Sequence, residues 1–537
     1  MFDLSKDKIF LNIALSLLLG IFSIFILSSF GFIIGLSINI NYILSAVIAA
    51  VIIPLWYFKF DLKECLFSLF CIIVLVVFSY LISVFIMDFS NDGPWYHQTG
   101  IIFLKKGWNP IYTPAEDFFH NYWNAHITGL LWVDNYPKFY EIFAANIFYL
   151  TNNIEAGKML NFLSLGVLFF YALYILRHGL LKKHPFASFI FSLLIMFNPI
   201  VCAQIYTYYV DALVYVYFML MIFALIDIEQ SKDNRGYIVF AISAVLLSNL
   251  KLVGILYTLL IIILYTCYRI FYKSKLKTWG KVSAVILVLI LLTGINPYFT
   301  NLMRGKHILY PVAGAEKIDI MTHNMPPQFL NKSMPYKLFM STFSKVDNIP
   351  AQNDGSIQLK IPFTIYPSEI KNLHLFDIRQ SGFGIFWSGI LLISLILAFF
   401  IKIKDKKTKQ QYCLIMGILL SSVLLNTENW WARYVPQFYA VPIFILLFYY
   451  ISNLAKQRIL VTTLLSVLIF FNSAVALWQV QKIALSFTET KSMQLNNMEN
   501  SRRTPNVIKN LEQDSIRADF TAPVLLFLDK YSRKSPQ

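Results

Sequence analysis

Apolar stretches long enough to cross a membrane recur along most of the chain, from residue 10 to residue 478. A transmembrane helix needs about 17–25 mainly apolar residues, and a helix satisfies all of its own backbone hydrogen bonds in lipid. The sequence therefore predicts an all-α, polytopic transmembrane protein with about 13 spans. The predicted spans are residues 10–36, 41–58, 65–87, 158–176, 185–201, 209–227, 236–250, 252–270, 282–297, 384–401, 411–425, 435–452 and 459–478.

The composition agrees with this prediction. Hydrophobic residues make up 57% of the 537 residues, and charged residues make up only 14%. A soluble chain of this length would fill its core with fewer apolar residues, so the excess has to face lipid. We expect a transmembrane domain over residues 1–478, followed by a polar C-terminal tail over residues 479–537.

The net charge of +16 raises the question of nucleic-acid binding, but the distribution of this charge argues against that function. The basic residues fall in short clusters between apolar runs, whereas a nucleic-acid surface would gather them on one face. Since Lys and Arg are retained on the cytoplasmic side during insertion, the clusters predict topology, and no nucleic-acid partner is expected. The clusters are Lys59 with Lys63, residues 177–183, residues 273–281, residues 402–409, and Lys456 with Arg458.

Placing every basic cluster in the cytoplasm lets the spans alternate and puts the N-terminus inside. The long outer segments are then residues 88–157 and 298–383, with a short outer link at residues 426–434. In the first outer loop, residues 96–105 and 137–149 carry apolar side chains at three- and four-residue spacing, which predicts helices lying on the membrane surface. The high content of Ile, Asn and Lys is typical of a bacterial source, so the expected location is a bacterial inner membrane.

Two acids, Asp88 and Asp92, follow directly after the third apolar run and precede Trp95, Tyr96 and His97. A carboxylate at a membrane edge is most often a solvated helix end. Here, however, other outer segments carry polar clusters of their own, so these acids are candidates for a shared site. Those clusters are Asn198-Pro199, residues 204–211, residues 249–251, residues 296–298 and residues 426–434.

Lys251 lies between two short spans with almost no loop, and Asp211 lies at the outer start of a span. An ionisable group at that depth costs a few kcal/mol unless it finds a partner or a polar cavity. Two interpretations stay open: each side chain extends to the interface, or the groups line a polar cavity on the outer face. In such a cavity, Lys251 and Arg433 are suited to bind phosphate oxygens. For Trp430 and Trp431 the pattern favours the aromatic belt over stacking on a sugar.

The segment Asp92-Gly93-Pro94-Trp95-Tyr96, which leads through an apolar stretch to Gly107-Trp108, resembles the first outer loop of the GT-C class of membrane glycosyltransferases. In the aminoarabinose and protein mannosyl transferases of that class, an acid follows a span, and an aromatic residue, an apolar helical stretch and a Gly come next. The match covers about 25 residues and is closer still to uncharacterised bacterial members. The sequence differs in two places: Gly93 stands where relatives often carry a second acid, and Trp430-Trp431 lacks the following Asp-Tyr-Gly of the oligosaccharyltransferases.

The resemblance implies an inverting transferase that moves a sugar from a polyprenyl-phosphate donor to a glycan, lipid or protein acceptor at the outer face of the membrane. Asp92 is then the expected base. Asp88 is the second catalytic candidate, which either orients the acceptor or shares a divalent cation such as Mg²⁺ or Mn²⁺ with Asp92. Membrane lipids are further expected partners. The expected substrate-binding residues are Tyr96, His97, Lys138, Asp211, Lys251, Tyr298 and Arg433.

Two other functions stay open. A transporter or flippase of lipid-linked sugars would need similar contacts, but it would place them near the bilayer midplane, on broken helices in two related halves. A polymerase or ligase of the O-antigen type, with another fold, would depend on Arg and His residues of the later outer loops. In that case Arg304, His307 and Arg433 would matter more than Asp92.

Overall fold

The structure is a computed structural model that describes residues 8–58, 60–121, 129–231, 233–273, 276–346, 357–373, 377–452 and 457–500. These residues are largely helical, and no β-strand occurs among them. In chain order the helices are α1 (Lys8–Ile33), α2 (Ile40–Trp56), α3 (Leu62–Phe85), α4 (Gln98–Lys105), α5 (Ala115–His120), α6 (Leu130–Asn135), α7 (Phe139–Thr151), α8 (Met159–His178), α9 (Pro185–Met196), α10 (Pro199–Gln204), α11 (Asp211–Gln230), α12 (Arg235–Ser248), α13 (Leu252–Phe271), α14 (Lys277–Thr293), α15 (Thr300–Met303), α16 (Met321–Asn324), α17 (Met334–Phe343), α18 (Pro367–Asn372), α19 (Trp387–Phe399), α20 (Lys406–Leu425), α21 (Ala440–Ser452) and α22 (Gln457–Asn500).

Among the described residues, seven helices are long and apolar enough to cross a membrane: α1, α3, α8, α11, α13, α20 and α22. An eighth span results if α14 and the bent segment Ile295–Met303, which meet at 75°, are counted as one. Helices α2, α9, α12, α19 and α21 are apolar but shorter. Every run predicted as a span overlaps one of these helices, so helix formation is confirmed at each predicted position. Only seven or eight of the helices are long enough to support the prediction that they cross the membrane.

Helix α11 lies at the centre of the bundle, packed against α8 and α12. Its residues from Asp211 to Ile228 are all buried. The helix is apolar around its whole circumference, as expected for a helix that contacts protein on every side. The acid at its first position, Asp211, is therefore held inside the protein and needs partners there.

The two helices predicted in the first outer loop form as α4 and α7, but they differ from expectation in their surroundings. Residues Gln98–Leu104 of α4 and Phe139–Phe148 of α7 are buried. The helices pack against each other, with Gly100 of α4 facing the side chain of Glu141 on α7. Both helices are thus interior elements of the protein. An amphipathic helix on a membrane surface would instead keep one face exposed.

The last described helix, α22, continues without a break past the expected domain boundary at residue 478 to Asn500. Its later part packs on the start of the first outer loop. Thr488 Oγ1 accepts a hydrogen bond from the backbone N–H of Met87 at 3.0 Å, and Lys491 Nζ donates to the carbonyl of Asp88 at 3.2 Å. The remainder of the predicted tail, residues 501–537, lies outside the described residues.

Candidate functional site

Five chain segments bring five charged residues together at one end of the bundle, and we call this group the ion cluster. Two of its members flank helices directly, since Asp211 begins α11 and Lys251 precedes α13. The other three lie in irregular segments. The ion cluster consists of Asp92, before the π-helical turn Gly93–His97, Asp211, Lys251, Asp377, before α19, and Arg433, in the 3₁₀ turn Ala432–Tyr434.

Arg433 is the centre of the ion cluster because its guanidinium faces three carboxylates. Its Nε lies 2.8 Å from Asp377 Oδ1, and its Nη1 lies 3.4 Å from Asp211 Oδ2 and 3.9 Å from Asp92 Oδ2. A buried guanidinium is tolerated when its charge is balanced by acids in its planar fork geometry. The two shorter contacts therefore fix the position of Arg433, while Asp92 remains the most loosely held of the three acids.

Asp211 serves as a counter-ion to both cations. Its Oδ1 forms an ion pair with Lys251 Nζ, and its Oδ2 also accepts a hydrogen bond of 3.2 Å from Gln204 Nε2. Gln204 is fixed in turn, because its side-chain oxygen accepts the backbone N–H of Ala212 at 3.0 Å. The position of Asp211 at the N-terminus of α11 adds the favourable field of the helix dipole. Asp211 is thus fully engaged in holding Lys251 and Arg433 in place.

Asp92 is the most accessible acid of the cluster, since its side chain is 22% exposed, against 17% for Asp377 and 2% for Asp211. Its Oδ2 accepts a hydrogen bond of 3.2 Å from the hydroxyl of Tyr96. Burial raises the pKa of Asp92, and the positive charge of Arg433 opposes this rise only in part. A carboxylate with a raised pKa is a stronger base when it is ionised.

Aromatic rings enclose the guanidinium of Arg433. Its central carbon lies 4.9 Å from the ring centres of Tyr209 and Trp431 and 5.1 Å from that of Tyr434. Trp431 also donates its indole N–H to Asp377 at 3.1 Å. Both Trp431 and its stacked neighbour Trp430 are buried in the protein, so the aromatic-belt interpretation is wrong for this pair. Such ring contacts stabilise a cation and exclude water from it.

Asp88 belongs to a different network from Asp92. Its Oδ1 accepts the backbone N–H of Ser90 at 2.8 Å, and its Oδ2 accepts the backbone N–H of Tyr208 at 3.2 Å. A methyl group at Gly93 would overlap Asp88 Oδ2, which explains why no second acid stands at position 93. The contacts therefore make Asp88 a residue that ties the first outer loop to the segment before α11.

Three further predicted binding residues form their hydrogen bonds with partners outside the ion cluster. His97 Nδ1 lies 2.7 Å from Glu141 Oε1, inside the first outer loop. Lys138 donates to a backbone carbonyl, and burial lowers its pKa to about 8. Tyr298 donates to the carbonyl of Ser248 at 2.5 Å and so supports the turn that carries Lys251. Of the predicted site residues, Asp92, Tyr96, Asp211, Lys251 and Arg433 are the ones joined directly.

Asp377, whose carboxylate makes the shortest contact with Arg433 in the ion cluster, was not predicted from the sequence. Asp377 and Arg379 stand shortly before α19 and pair with each other at 3.0 Å. The backbone N–H groups of Ala432 and Arg433 donate to the carbonyls of Arg379 and Ile378, both at 3.2 Å. Asp211 was singled out because it stands at the outer start of a predicted span, and Asp377 stands a few residues before the predicted span 384–401, so a weaker form of the same signal was present.

No group of three or more His, Cys, Asp or Glu side chains suited to hold a metal ion occurs in the described part of the chain. Both carboxylate oxygens of Asp88 accept backbone amides, so this side chain is engaged in holding the backbone. A divalent cation shared by Asp88 and Asp92 stays a prediction.

Comparisons with protein-family models, with curated proteins and with solved structures found no match to the chain.

Proposed function

We propose that the protein is an inverting membrane glycosyltransferase that takes a sugar from a polyprenyl-phosphate donor. The observation that carries the proposal is the position of the partly exposed Asp92 carboxylate beside Arg433. Arg433 and Lys251 both form ion pairs with Asp211, so the two cations lie close together. A base next to two cations suits a reaction in which a hydroxyl loses its proton while a phosphate leaves. The resemblance to the GT-C class supplies the same expectation from an independent source.

In the proposed reaction, the oxygen of an acceptor hydroxyl attacks the anomeric carbon of the donor sugar. Its proton moves to the carboxylate of Asp92 as the new C–O bond forms. The bond between the anomeric carbon and the phosphate oxygen breaks, and its electron pair leaves with the polyprenyl phosphate. Attack opposite to the leaving group inverts the anomeric centre, and no acid has to protonate the phosphate because it leaves readily as an anion.

The other residues of the cluster position these groups. Lys251 and Arg433 receive the negative charge that develops on the phosphate, with Arg433 suited to contact two of its oxygens. Asp211 and Asp377 hold these cations at a fixed place, so that little reorganisation is needed during the reaction. Tyr96 orients Asp92 through its hydroxyl.

The proposal includes the membrane arrangement. The long helices and the shorter apolar ones together form the GT-C-like bundle of about 13 spans, in a bacterial inner membrane. The ion cluster faces the outside, opposite to the basic clusters. The acceptor hydroxyl belongs to a glycan, a lipid or a protein.

The test is sugar transfer by the purified protein in lipid nanodiscs, supplied with polyprenyl-phosphate sugars and membrane extracts as acceptors. Release of polyprenyl phosphate that depends on the acceptor is expected for the wild type and is lost in Asp92→Asn. The matched control is Asp117→Asn, because Asp117 is an exposed acid of the same outer loop. Movement of the intact lipid-linked sugar between leaflets without its cleavage would contradict the proposal and favour the transporter.

A further inference from the structure

A second site lies at the other end of the helix bundle. Helix α11 begins at Asp211 in the ion cluster and ends at Gln230, which lines a cleft. Helices α8 and α21 also end at this cleft, with His178 and Ser452, and α20 begins beside it. Since α11 has 20 residues, the two sites are about 30 Å apart, the thickness of the hydrocarbon core. The cleft is therefore at the opposite membrane face.

The cleft combines a suitable size with a basic lining. Its volume is about 540 Å³, within the usual range for small-molecule sites. Two basic clusters that are far apart in the sequence meet around it, one at the end of α8 and one at the start of α20. The lining residues that carry the argument are His178, Lys402, Lys404, Lys407 and Gln411.

The positive charge of the cleft is balanced only in part, because three lysines and one acid, Asp405, are among its lining residues. The three lysines make no salt bridge within the described part of the chain. Asp405 also lines the cleft and its charge interacts with Lys407, while its Oδ2 accepts the backbone N–H and the hydroxyl of Thr408, both at 2.7 Å. The cleft thus attracts an anion.

Gln411 gives an independent sign of a ligand. It is 3% exposed and lines the cleft, yet its Nε2 atom has no hydrogen-bond partner among the described residues. A buried donor without an acceptor costs about 1–3 kcal/mol. Most such groups are satisfied in folded proteins, so an oxygen-rich ligand in the cleft is the natural acceptor.

The surroundings of the cleft favour a lipid over a soluble anion. Phe399 and Phe400 stand directly before the lysine segment and are 88% and 57% exposed. Phe186, at the start of α9, is 76% exposed. These aromatic side chains lie at the bundle end that the basic clusters place at a membrane surface, where they can contact acyl chains while the lysines contact a headgroup.

We propose that this cleft binds the phosphate-bearing headgroup of an anionic phospholipid from the leaflet opposite to the ion cluster. The three lysines contact the phosphate oxygens, Gln411 donates its amide to the headgroup, and the acyl chains lie along the exposed phenylalanines. The site is separate from the proposed sugar transfer, so it stands or falls independently of that function.

The experiment measures lipid binding to the full chain in detergent, titrated with phosphatidylglycerol and followed by native mass spectrometry. We expect the triple variant Lys402→Gln, Lys404→Gln and Lys407→Gln to bind with affinity about 100-fold weaker, because each lysine near a headgroup contributes a factor of about five. Gln411→Leu, which leaves the charge unchanged, is expected to weaken binding by a smaller factor. Unchanged affinity in both variants would overturn the proposal.

The matched control removes three exposed lysines at the same end of the bundle, Lys273, Lys277 and Lys281, each replaced by Gln. Lys273 follows α13, Lys277 and Lys281 belong to the first turns of α14, and none of the three lines the cleft. Binding close to that of the wild type is expected, whereas an equal loss would mean general attraction by surface charge and overturn the site. The titration is repeated with phosphatidylcholine and with inorganic phosphate. Saturable binding of inorganic phosphate at the same concentrations would overturn the lipid assignment. Size-exclusion profiles establish that each variant is folded.

Discussion

The Nη1 atom of Arg433 lies 3.9 Å from Oδ2 of Asp92. The other two contacts of this guanidinium are shorter: Nη1 lies 3.4 Å from Asp211 Oδ2, and Nε lies 2.8 Å from Asp377 Oδ1. A separation of 3.9 Å is too long for a hydrogen bond, so the attraction is electrostatic only. Arg433 is thereby anchored by two acids and lowers the cost of ionising the third without occupying its oxygens. This geometry leaves Asp92 free to accept a proton from a substrate.

Asp92→Asn is expected to leave the protein as stable as the wild type or slightly more stable at neutral pH. Burial raises the pKa of Asp92 above its unfolded value, so its contribution to stability is most favourable at low pH and is lost as the pH rises through the folded pKa. Removing the charge therefore costs nothing at pH 7. Thermal unfolding in detergent measures this, and a clearly lower midpoint for Asp92→Asn would assign it a structural role.

Asp211→Asn is expected to behave in the opposite way. It removes the acid that pairs with Lys251 and contacts Arg433, and so leaves two poorly solvated cations with less compensation. Breaking such a buried pair costs about 3–5 kcal/mol when one partner is removed. The unfolding midpoint should fall well below that of Asp92→Asn. Equal midpoints for the two variants would show that Asp211 does not hold the cations.

The transfer rate is expected to depend on pH through Asp92. The base has to be ionised, so activity rises as the pH rises through its pKa, and this acid limb lies above the ordinary aspartate value of about 3.9. The measurement is kcat/KM as a function of pH, for the wild type and Asp92→Glu. An acid limb at or below about pH 4, or the same limb in Asp92→Asn, would contradict the role of Asp92 as base.

The helices were predictable because an apolar run of about 20 residues is a local signal that needs no knowledge of the rest of the chain. The burial of α4 and α7 could not be predicted, since their apolar spacing is compatible with either a membrane surface or a protein interior. What decides between the two is the packing of these helices on each other and on the bundle, which is a tertiary property.

The site was predictable in part for the same reason. Lys251 and Asp211 stood out because charges at the edges of apolar spans are costly. The resemblance put Asp92 ahead of Asp88 as the base, but the sequence could not show that Asp88 is held by the backbone N–H of Tyr208, a residue far along the chain. The contact of Asp377 with Arg433 likewise joins two separate outer segments, so no local pattern could reveal it.

Gly93→Ala is expected to destabilise the protein. The added methyl group would overlap Asp88 Oδ2 and lie 2.5 Å from Ser90 Oγ, in a place where both side chains are buried and bonded. Overpacking of this kind costs about 1–3 kcal/mol. The control is Gly280→Ala in α14, where nothing lies within 4 Å of the new methyl group and helix propensity favours Ala. A lower unfolding midpoint for Gly93→Ala alone is the expected result, and equal midpoints would mean that the loop shifts freely.

Arg433→Lys keeps the charge and loses the fork of donors that faces three carboxylates. Because a compact ammonium cannot hold Asp377 and Asp211 and also contact two phosphate oxygens, we expect kcat to fall by about 100-fold. Arg304→Lys is the informative comparison, since Arg304 pairs with Asp134 outside the ion cluster and is central in the polymerase or ligase alternative. We therefore expect the transfer kinetics of the two variants to differ, with a much smaller fall in kcat for Arg304→Lys. A loss in Arg304→Lys as large as that in Arg433→Lys, with transfer retained in Asp92→Asn, would instead favour the polymerase or ligase, because both arginines matter more than Asp92 in that alternative.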